Sequence, residues 1–464
     1  MMRILAILFV LLVALDLKAQ IKLPAIFDDH MVMQQQTTIP IWGWAQPSER
    51  VTINVSWDTT TIQTKADNGT FWKASIKTPS AGGPHSITIK AGGHVRTLND
   101  VLSGEVWIAS GQSNMEWSMN SSADGKSLVE QINDPNIRLF NVPRASAATL
   151  QVRGEGEWQL CNKESVGGFS AVAYFFGKKL NQSLNIPIGL INSSWGGSPA
   201  ETWIPKEAVE SKPQLVESAA KLNAEQPWAP VQPGVLFNSM INPLVPFRIA
   251  GAIWYQGEAN TAAPSTYKTL METLIAEWRK QFQSDLHFYY VQIAPYSGYS
   301  GESGTLIREQ QVKMLEIPKT GMAVISDLVD DVKDIHPKFK KTVGERLADI
   351  ALAETYKKQG IAYQSPLYKS MKVEKSKIRI LFDHADSGLQ EKGELTEFLI
   401  AGEDQKFYPA KAKIDKGTVI VSAKEVKNPV AVRFAWGNGS IPNLFSKEGL
   451  PVPSFRTDTW TTTK

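Results

Sequence analysis

The feature that most constrains this chain is an alternation of short apolar runs with longer amphipathic stretches between residues 101 and 365. The apolar runs lack polar alternation, as expected of strands buried on both faces of a sheet. They occupy residues 106–109, 188–191, 250–255, 288–293 and 323–325. Helical periodicity appears at residues 171–184, 267–282 and 343–356. The pattern predicts an α/β domain with a mainly parallel sheet, whose functional groups gather at the carboxyl ends of its strands.

Regions of short strands flank this domain on both sides. Residues 20–100 contain brief runs rich in Thr, Val, Ile and Trp, separated by turn residues, which predict an N-terminal β-sandwich. Residues 366–464 return to short strands and turns and predict a C-terminal β-region. The chain is therefore expected to divide at about residues 100 and 365.

The first nineteen residues have the pattern of a secretory signal peptide. Arg3 precedes an apolar run at residues 4–14, and Ala19 is a small residue at the expected cleavage point. The run is shorter than the roughly 20 residues that a membrane-spanning helix needs, so we expect no stable membrane insertion. A buried strand is the alternative for this run. Cys161 is the only cysteine, which excludes an intramolecular disulfide and suits export to a bacterial periplasm.

The charge balance argues against nucleic acid as a partner. The chain carries 49 Lys and Arg against 46 Asp and Glu, a net charge of +3, without a concentrated basic run. No group of His, Cys and carboxylate residues has metal-ligand spacing, so we expect neither a metal nor another cofactor. The oligomeric state is left open.

Ser113 is the strongest candidate nucleophile. It lies in the segment A-S-G-Q-S-N-M-E-W, residues 109–117, directly after a predicted buried strand. A serine on such a turn is exposed at the edge of the sheet. The nucleophile elbow of α/β-hydrolases requires glycine two residues before and after the serine, whereas Met115 occupies the second position here. That fold pattern is therefore excluded, and an ordinary turn serine remains the alternative.

His336 is the candidate general base among six histidines. It follows Asp334 by two residues, so both side chains lie on the same face of an extended segment. Asp334 is therefore placed to orient the imidazole ring that would deprotonate Ser113. A loop histidine paired locally with one of the nearby acids is the alternative.

Two further strand ends supply candidate donors for an oxyanion. Gly196 and Gly197 follow one strand, and Gln256 follows another. Glycine lets a backbone N–H approach a ligand closely, and a glutamine amide offers two donors. Each segment is equally compatible with a turn that merely ends a strand.

Taken together, these motifs resemble the sialate O-acetylesterase family of SGNH (GDSL-type) carbohydrate esterases. The matching segments occur in the family's order and are G-Q-S-N-M-E-W, S-W-G-G-S-P-A-E-T-W, W-Y-Q-G-E-A-N, R-E-Q-Q and D-I-H-P-K. Residues 448–451 and 455–458 match as well. The resemblance implies a flavodoxin-like, three-layer α/β/α hydrolase domain at residues 101–365, flanked by β-sandwich regions.

The resemblance also implies a role for each matching residue. Ser113 would be the nucleophile and donate its backbone N–H to the oxyanion, His336 the base and Asp334 its orienting acid. The remaining oxyanion donors would be Gly196 or Gly197 together with Gln256. Many SGNH enzymes carry asparagine at the Gln256 position and place the acid three residues before the histidine, and both departures match the carbohydrate-esterase branch.

Substrate contacts are implied for a second group of positions, which are Arg308, Glu258 and Asn260. Arg308 is the cation near the site that a sialic acid carboxylate would require, although bracing Glu258 is the alternative for it. The expected function is an exported serine esterase that removes O-acetyl groups from sialic acid. Acetylated xylan or another plant polysaccharide is the alternative substrate. A non-catalytic carbohydrate-binding protein is the alternative from another class.

Overall fold

A computed structural model describes residues 21–222 and 227–460. The predicted signal peptide lies outside the described residues. The N-terminal region begins with six short strands, namely β1 (Val32–Gln34), β2 (Thr38–Trp44), β3 (Arg50–Val55), β4 (Asp58–Lys65), β5 (Phe71–Lys77) and β6 (Gly82–Ala91). β2 and β5 form a two-stranded sheet, and β3 pairs with β4 and β6. Their alternate side chains meet in one hydrophobic core.

A single long strand, β7 (His94–Gly111), joins this region to the next. Its first half pairs with β6, and its second half, from Glu105, pairs with strands of the central sheet. The predicted boundary at residue 100 therefore falls inside one strand. The physical reason is continuous burial, since every residue from Val101 to Gly111 is buried.

The described residues of the central region form six more strands and eight helices. The strands are β8 (Asn133–Asn141), β9 (Trp158–Asn162), β10 (Ile188–Ser194), β11 (Gly251–Tyr255), β12 (His287–Val291) and β13 (Thr320–Ala323). The helices are α1 (Ser113–Glu116), α2 (Lys163–Val166), α3 (Ala171–Leu184), α4 (Lys206–Glu210), α5 (Pro213–Ala219), α6 (Tyr267–Gln281), α7 (Ser303–Lys313) and α8 (Lys340–Glu354). Short 3-10 turns and one π-helical turn at Phe237–Ile241 connect them.

The central sheet has the order β13-β12-β11-β7-β10-β8-β9. All neighbouring pairs are parallel except β8 and β9, which are antiparallel. Helices α6 and α7 pack on one face in a core shared with the N-terminal strands, and α3 and α8 pack on the other. The predicted α/β class and its mainly parallel sheet are confirmed.

Helices α3 and α8 pack directly against each other. Gly344 of α8 permits this approach, because a Cβ there would lie 2.6 Å from the Val172 carbonyl oxygen of α3. Helix α3 begins after Ser170, whose hydroxyl accepts a hydrogen bond from the Ala173 N–H, and it ends at Asn185 in a left-handed conformation. Its observed bounds equal the predicted ones. Within the described residues no helix is both long and apolar enough to cross a membrane.

The C-terminal region, as described to residue 460, forms ten strands. They are β14 (Leu367–Glu374), β15 (Lys377–Asp383), β16 (Leu389–Glu391), β17 (Phe398–Ala401), β18 (Phe407–Pro409), β19 (Lys411–Asp415), β20 (Thr418–Ser422), β21 (Ala431–Phe434), β22 (Leu444–Ser446) and β23 (Phe455–Arg456). They form two four-stranded sheets and one two-stranded sheet around a separate core. An ion pair between Arg456 and Glu309 of α7, at 2.8 Å, connects this region to the central one.

Candidate active site

Ser113, the predicted nucleophile, follows the end of β7, where tight packing dictates the backbone. Gly111 has φ of +128°, and a Cβ there would lie 2.2 Å from the Tyr255 carbonyl oxygen of β11. Only glycine fits this position without strain. The Gln112 N–H then donates to the Tyr255 carbonyl at 3.0 Å, and α1 starts at Ser113. Ser113 therefore lies beside the crevice between β7 and β11, where the strand order reverses direction and ligands of parallel sheets bind.

His336 comes from the loop between β13 and α8 and meets Ser113 across the crevice. Its Nε2 atom lies 2.9 Å from Ser113 Oγ, within hydrogen-bond distance. Asp334 lies 3.6 Å from His336 Nδ1, measured from Oδ1. The same Oδ1 accepts the backbone N–H of His336 at 2.9 Å. The structure thus brings the three predicted triad residues together, with a short serine–histidine contact and a longer histidine–aspartate contact.

The surroundings of His336 favour its neutral, basic form. Burial lowers the pKa of His336 below its ordinary value, the nearby Lys340 lowers it further, and Asp334 opposes both effects. The imidazole also stacks on Trp117, with ring centroids 4.8 Å apart. A neutral imidazole that accepts from a serine hydroxyl is the arrangement that general-base catalysis requires.

Ser113 and His336 both line a cavity of about 930 Å³. Aromatic side chains contribute to its walls, including Trp117 and the largely exposed Trp228. Among the described lining residues Arg144 is the cation, and its Nε donates to Glu116 Oε1 at 2.6 Å. The cavity is therefore large enough for a sugar, and its cation already has a carboxylate partner.

Gly196 and Gly197 follow β10 and also line this cavity. The Gly196 N–H donates to Glu116 Oε2 at 2.9 Å, and a Cβ on Gly196 would lie 3.2 Å from that of Ser113. Gly197 has φ of +79° and packs against the Trp228 ring. Gly196 thus lies beside Ser113 with its donor occupied by a carboxylate, whereas Gly197 lines the same cavity next to Trp228.

Gln256 is placed differently from the donor that the motif implies. It is fully buried, and its amide donates to Asn260 Oδ1 at 2.7 Å while its Oε1 accepts from Tyr267 at 2.9 Å. Asn260 is buried as well and donates to Glu201 at 2.8 Å. Neither Gln256 nor Asn260 is among the residues that line the cavity. Their side chains instead stabilise the turn after β11.

The side chains of Glu258 and Arg308 also form hydrogen bonds within the protein. Glu258 borders the cavity but is buried, and its Oε1 accepts from Asn114 at 2.7 Å. Arg308 of α7 donates to the Gly437 carbonyl at 2.6 Å and to Thr305 at 2.9 Å. Because these partners hold its guanidinium against the C-terminal region, Arg308 neither lines the cavity nor forms a hydrogen bond to Glu258 among the described contacts.

Comparison with protein families identifies the family of this chain. A family model described as a carbohydrate esterase, sialic acid-specific acetylesterase, matches residues 103–353. The chain belongs to this family. The esterase is 28% identical to the sialate O-acetylesterase of Rattus norvegicus over 88% of each chain. It is 30% identical to that of Homo sapiens, with 73% of this chain and 72% of the human chain covered.

A solved structure extends the likeness to almost the whole chain. The crystal structure of a carbohydrate acetylesterase from Xanthomonas citri matches with a TM-score of 0.87 and 37% identity. The match covers 95% of this chain and 100% of the Xanthomonas chain. The esterase therefore shares both its α/β region and its flanking β-regions with a carbohydrate acetylesterase, and the family assigned from the sequence motifs is confirmed.

The sequence motifs assigned no role to several residues that line the cavity of the esterase or lie behind Ser113 and His336. They are Gln112, Asn114, Glu116, Trp117, Arg144, Trp228 and Lys340. The first four lie inside the quoted motif G-Q-S-N-M-E-W, so the motif itself was the available signal. Arg144, Trp228 and Lys340 lie far from that motif in sequence, and nothing local distinguishes them. Among the described residues no group of three or more His, Cys, Asp or Glu is arranged to hold a metal ion.

Proposed function

We propose that the esterase removes O-acetyl groups from carbohydrates by a serine mechanism with Ser113, His336 and Asp334. The observation that supports this is the 2.9 Å contact between Ser113 Oγ and His336 Nε2 at the wall of the large cavity. The central strands support the SGNH assignment, since β10-β7-β11-β12-β13 have the flavodoxin-like order 2-1-3-4-5, with β8 and β9 added at one edge.

The proposed reaction proceeds in two halves. His336 Nε2 takes the proton of Ser113 Oγ as this oxygen attacks the acetyl carbonyl carbon, and the tetrahedral intermediate forms. His336 then gives the proton to the leaving sugar oxygen, so the sugar departs as an alcohol and the acetyl group stays on Ser113. In the second half, water that is deprotonated by His336 attacks the acetyl carbon. The bond between this carbon and Ser113 Oγ then breaks, His336 returns the proton to Oγ, and acetate leaves. The backbone N–H groups of Ser113 and Gly197 are our proposed oxyanion donors, because the Gly196 N–H donates to Glu116.

O-Acetylated sialic acid is the first proposed substrate, since the curated relatives are named sialate O-acetylesterases. A neutral acetylated polysaccharide such as acetyl xylan is the second. The contact between Arg144 and Glu116 favours the second substrate, because a sialic acid carboxylate would have to compete with Glu116 for the guanidinium. The aromatic walls at Trp117 and Trp228 suit the apolar face of either sugar.

The test is acetate release from 9-O-acetylated sialic acid and from acetylated xylan, with Ser113→Ala as the blank. Acetate release from either substrate by the wild-type protein, but not by Ser113→Ala, supports the proposed function. The ratio of the two wild-type rates identifies the preferred substrate. Arg144→Met is expected to raise KM for the sialoside only if the guanidinium binds the sugar carboxylate. Release by Ser113→Ala at the wild-type rate would refute the mechanism.

We further propose that residues 1–19 direct export across the inner membrane to the periplasm. The basic, apolar and small-residue pattern supports this. Mass determination of the protein recovered from a periplasmic fraction is expected to show a chain that starts near Gln20. Recovery of an uncleaved chain from the cytoplasm would contradict it.

A further inference from the structure

A buried polar network lies directly behind the nucleophile and the general base. Asn114, the residue after Ser113, is fully buried and makes three hydrogen bonds. Its Nδ2 donates to Glu258 Oε1 at 2.7 Å and to the Ile335 carbonyl at 3.1 Å. Its Oδ1 accepts from Lys340 Nζ at 2.6 Å. One amide thus joins the nucleophile turn, the end of β11, the histidine loop and the start of α8.

Lys340 is the unexpected member of this network. Its side chain is completely buried, although the charge of a buried lysine is costly unless it is compensated. The ammonium lies 5.7 Å from the centroid of the Trp117 ring and 5.2 Å from that of Tyr255. Trp117 in turn stacks on His336. Lys340 therefore contacts both the amide and the indole that adjoin the catalytic residues.

Asp334 alone is a poor orienting group for His336. Its Oδ1 atom is 3.6 Å from Nδ1, beyond an ordinary hydrogen bond, and it already accepts the backbone N–H of His336. Asp334 is also about one-third exposed, so solvent weakens its electrostatic effect. In contrast, the bond from Asn114 to the Ile335 carbonyl holds the residue next to His336 from a fully buried position.

We propose that Lys340 is a positioning residue for the general base, which it fixes through Asn114 and Trp117 and keeps neutral with its positive charge. This inference rests on the proposed serine mechanism and adds a residue that the triad does not contain. Glu258 is the carboxylate that compensates the charge of Lys340, with Asn114 between them. Its second oxygen, Oε2, is buried and has no hydrogen-bond partner in the part of the chain that the structure describes.

The titratable groups around the base are consistent with this role. Asp334 acts on His336 from its own loop and Lys340 acts on it from α8. Glu258, at the end of β11, acts on Lys340, while Glu116 across the cavity is paired with Arg144. Burial lowers the pKa of Lys340 to about 7, and Glu258 and Asp334 oppose this shift. Burial raises the pKa of Glu258. A cation held in this way favours neutral His336.

The test compares Lys340→Met with Glu258→Gln and with the control Lys341→Met, which removes an exposed lysine from the neighbouring position of α8. The readout is kcat/KM against pH for an aryl acetate, whose acidic limb reports the free-enzyme base. Lys340 Nζ lies 5.7 Å from the Trp117 ring centroid, and this centroid lies 4.8 Å from that of the His336 ring. The charge of Lys340 is therefore at most about 10 Å from the imidazole. At an effective dielectric constant of about 20 to 40, loss of that charge shifts the limb upward by about half to one pH unit.

Lys340→Met is also expected to lower kcat by about 10- to 100-fold with little change in KM, because the base is misplaced. Glu258→Gln shifts the acidic limb in the same direction, because without the carboxylate Lys340 loses its proton more readily. The double variant shifts the limb no further than Lys340→Met does. Lys341→Met leaves the limb where it is in the wild-type protein. A merely structural role for Lys340 would lower activity or stability without moving the limb.

An active wild-type protein whose acidic limb is unmoved in both variants would overturn the inference. If Lys340→Met does not fold, the limb of the nearly isosteric Glu258→Gln decides. If the wild-type protein cleaves no ester, the proposed function fails. NMR titration of the His336 imidazole then tests separately whether Lys340 keeps this ring neutral. The pKa of His336 must then be higher in Lys340→Met than in the wild-type protein.

Discussion

Replacement of Gly111 by alanine tests whether the packing at the end of β7 positions the nucleophile. Gly111 lies two residues before Ser113 and pairs with Tyr255 of β11 and Ser194 of β10. Its carbonyl also accepts the Trp195 N–H at 3.1 Å. A methyl group there would lie 2.2 Å from the Tyr255 carbonyl oxygen, whereas real Cβ atoms essentially never approach within 3.0 Å. The two strands must therefore separate by about 1 Å.

The expected cost has two parts. A non-glycine residue at φ of +128° carries backbone strain of about 1–3 kcal/mol. Overpacking against a backbone atom adds about 1–3 kcal/mol. We therefore expect Gly111→Ala to lower the free energy of unfolding by about 2–6 kcal/mol. A displacement of about 1 Å at the nucleophile also costs about 100-fold in kcat, because the attacking oxygen is misaligned.

The measurements are denaturant unfolding and the turnover of an aryl acetate. Gly168→Ala is the matched control, since a Cβ at Gly168 meets nothing within 4 Å and its φ is not in the left-handed region. The control is expected to retain wild-type stability and kcat. The reasoning is refuted if Gly111→Ala is as stable and as active as Gly168→Ala.

Three further predictions concern the site and its surroundings. Ser113→Ala is expected to fold normally and to reduce kcat for acetate release by at least about 10³-fold, and unchanged turnover would exclude Ser113 as the nucleophile. The wild-type kcat/KM is expected to rise with pH through a midpoint below the ordinary pKa of histidine, because burial and Lys340 lower the pKa of His336; a midpoint above that value would contradict this electrostatic account. Arg308→Met is expected to lower the free energy of unfolding by about 2–4 kcal/mol, since the Gly437 carbonyl loses a charged donor, and to leave KM unchanged. A raised KM at unchanged stability would instead support a substrate contact for Arg308.

The strands and helices of the central region were largely predictable from the sequence. Residues 171–184 form a helix with the predicted bounds, because the Ser170 side chain caps its first turn and Asn185 ends it in a left-handed conformation. β8 and α7 were not predicted. β8 begins with the polar residues of N-D-P-N, and α7 contains the polar run R-E-Q-Q, so neither has a strong apolar period.

The sequence predicted only those residues of the candidate site that lie in short motifs. Ser113 and the pair Asp334 and His336 were identified from short motifs, and the structure brings them together. The contacts of Arg308 were not predictable, because its partners in the turn at Gly437 lie about 130 residues away in the chain. The same holds for the contact of Glu116 with Gly196.

The sequence by itself determined the α/β class, the family and the two residues of the Ser113–His336 contact, because strand burial and strand-end motifs are properties of neighbouring residues. Only the tertiary structure decided which donors face the cavity and which residues pack behind Ser113 and His336. Gln256 is turned into the protein by Asn260 and Tyr267, and Lys340 reaches Asn114 across 226 positions of the chain. Such contacts depend on how the strands and helices pack, and no local pattern of side chains encodes them.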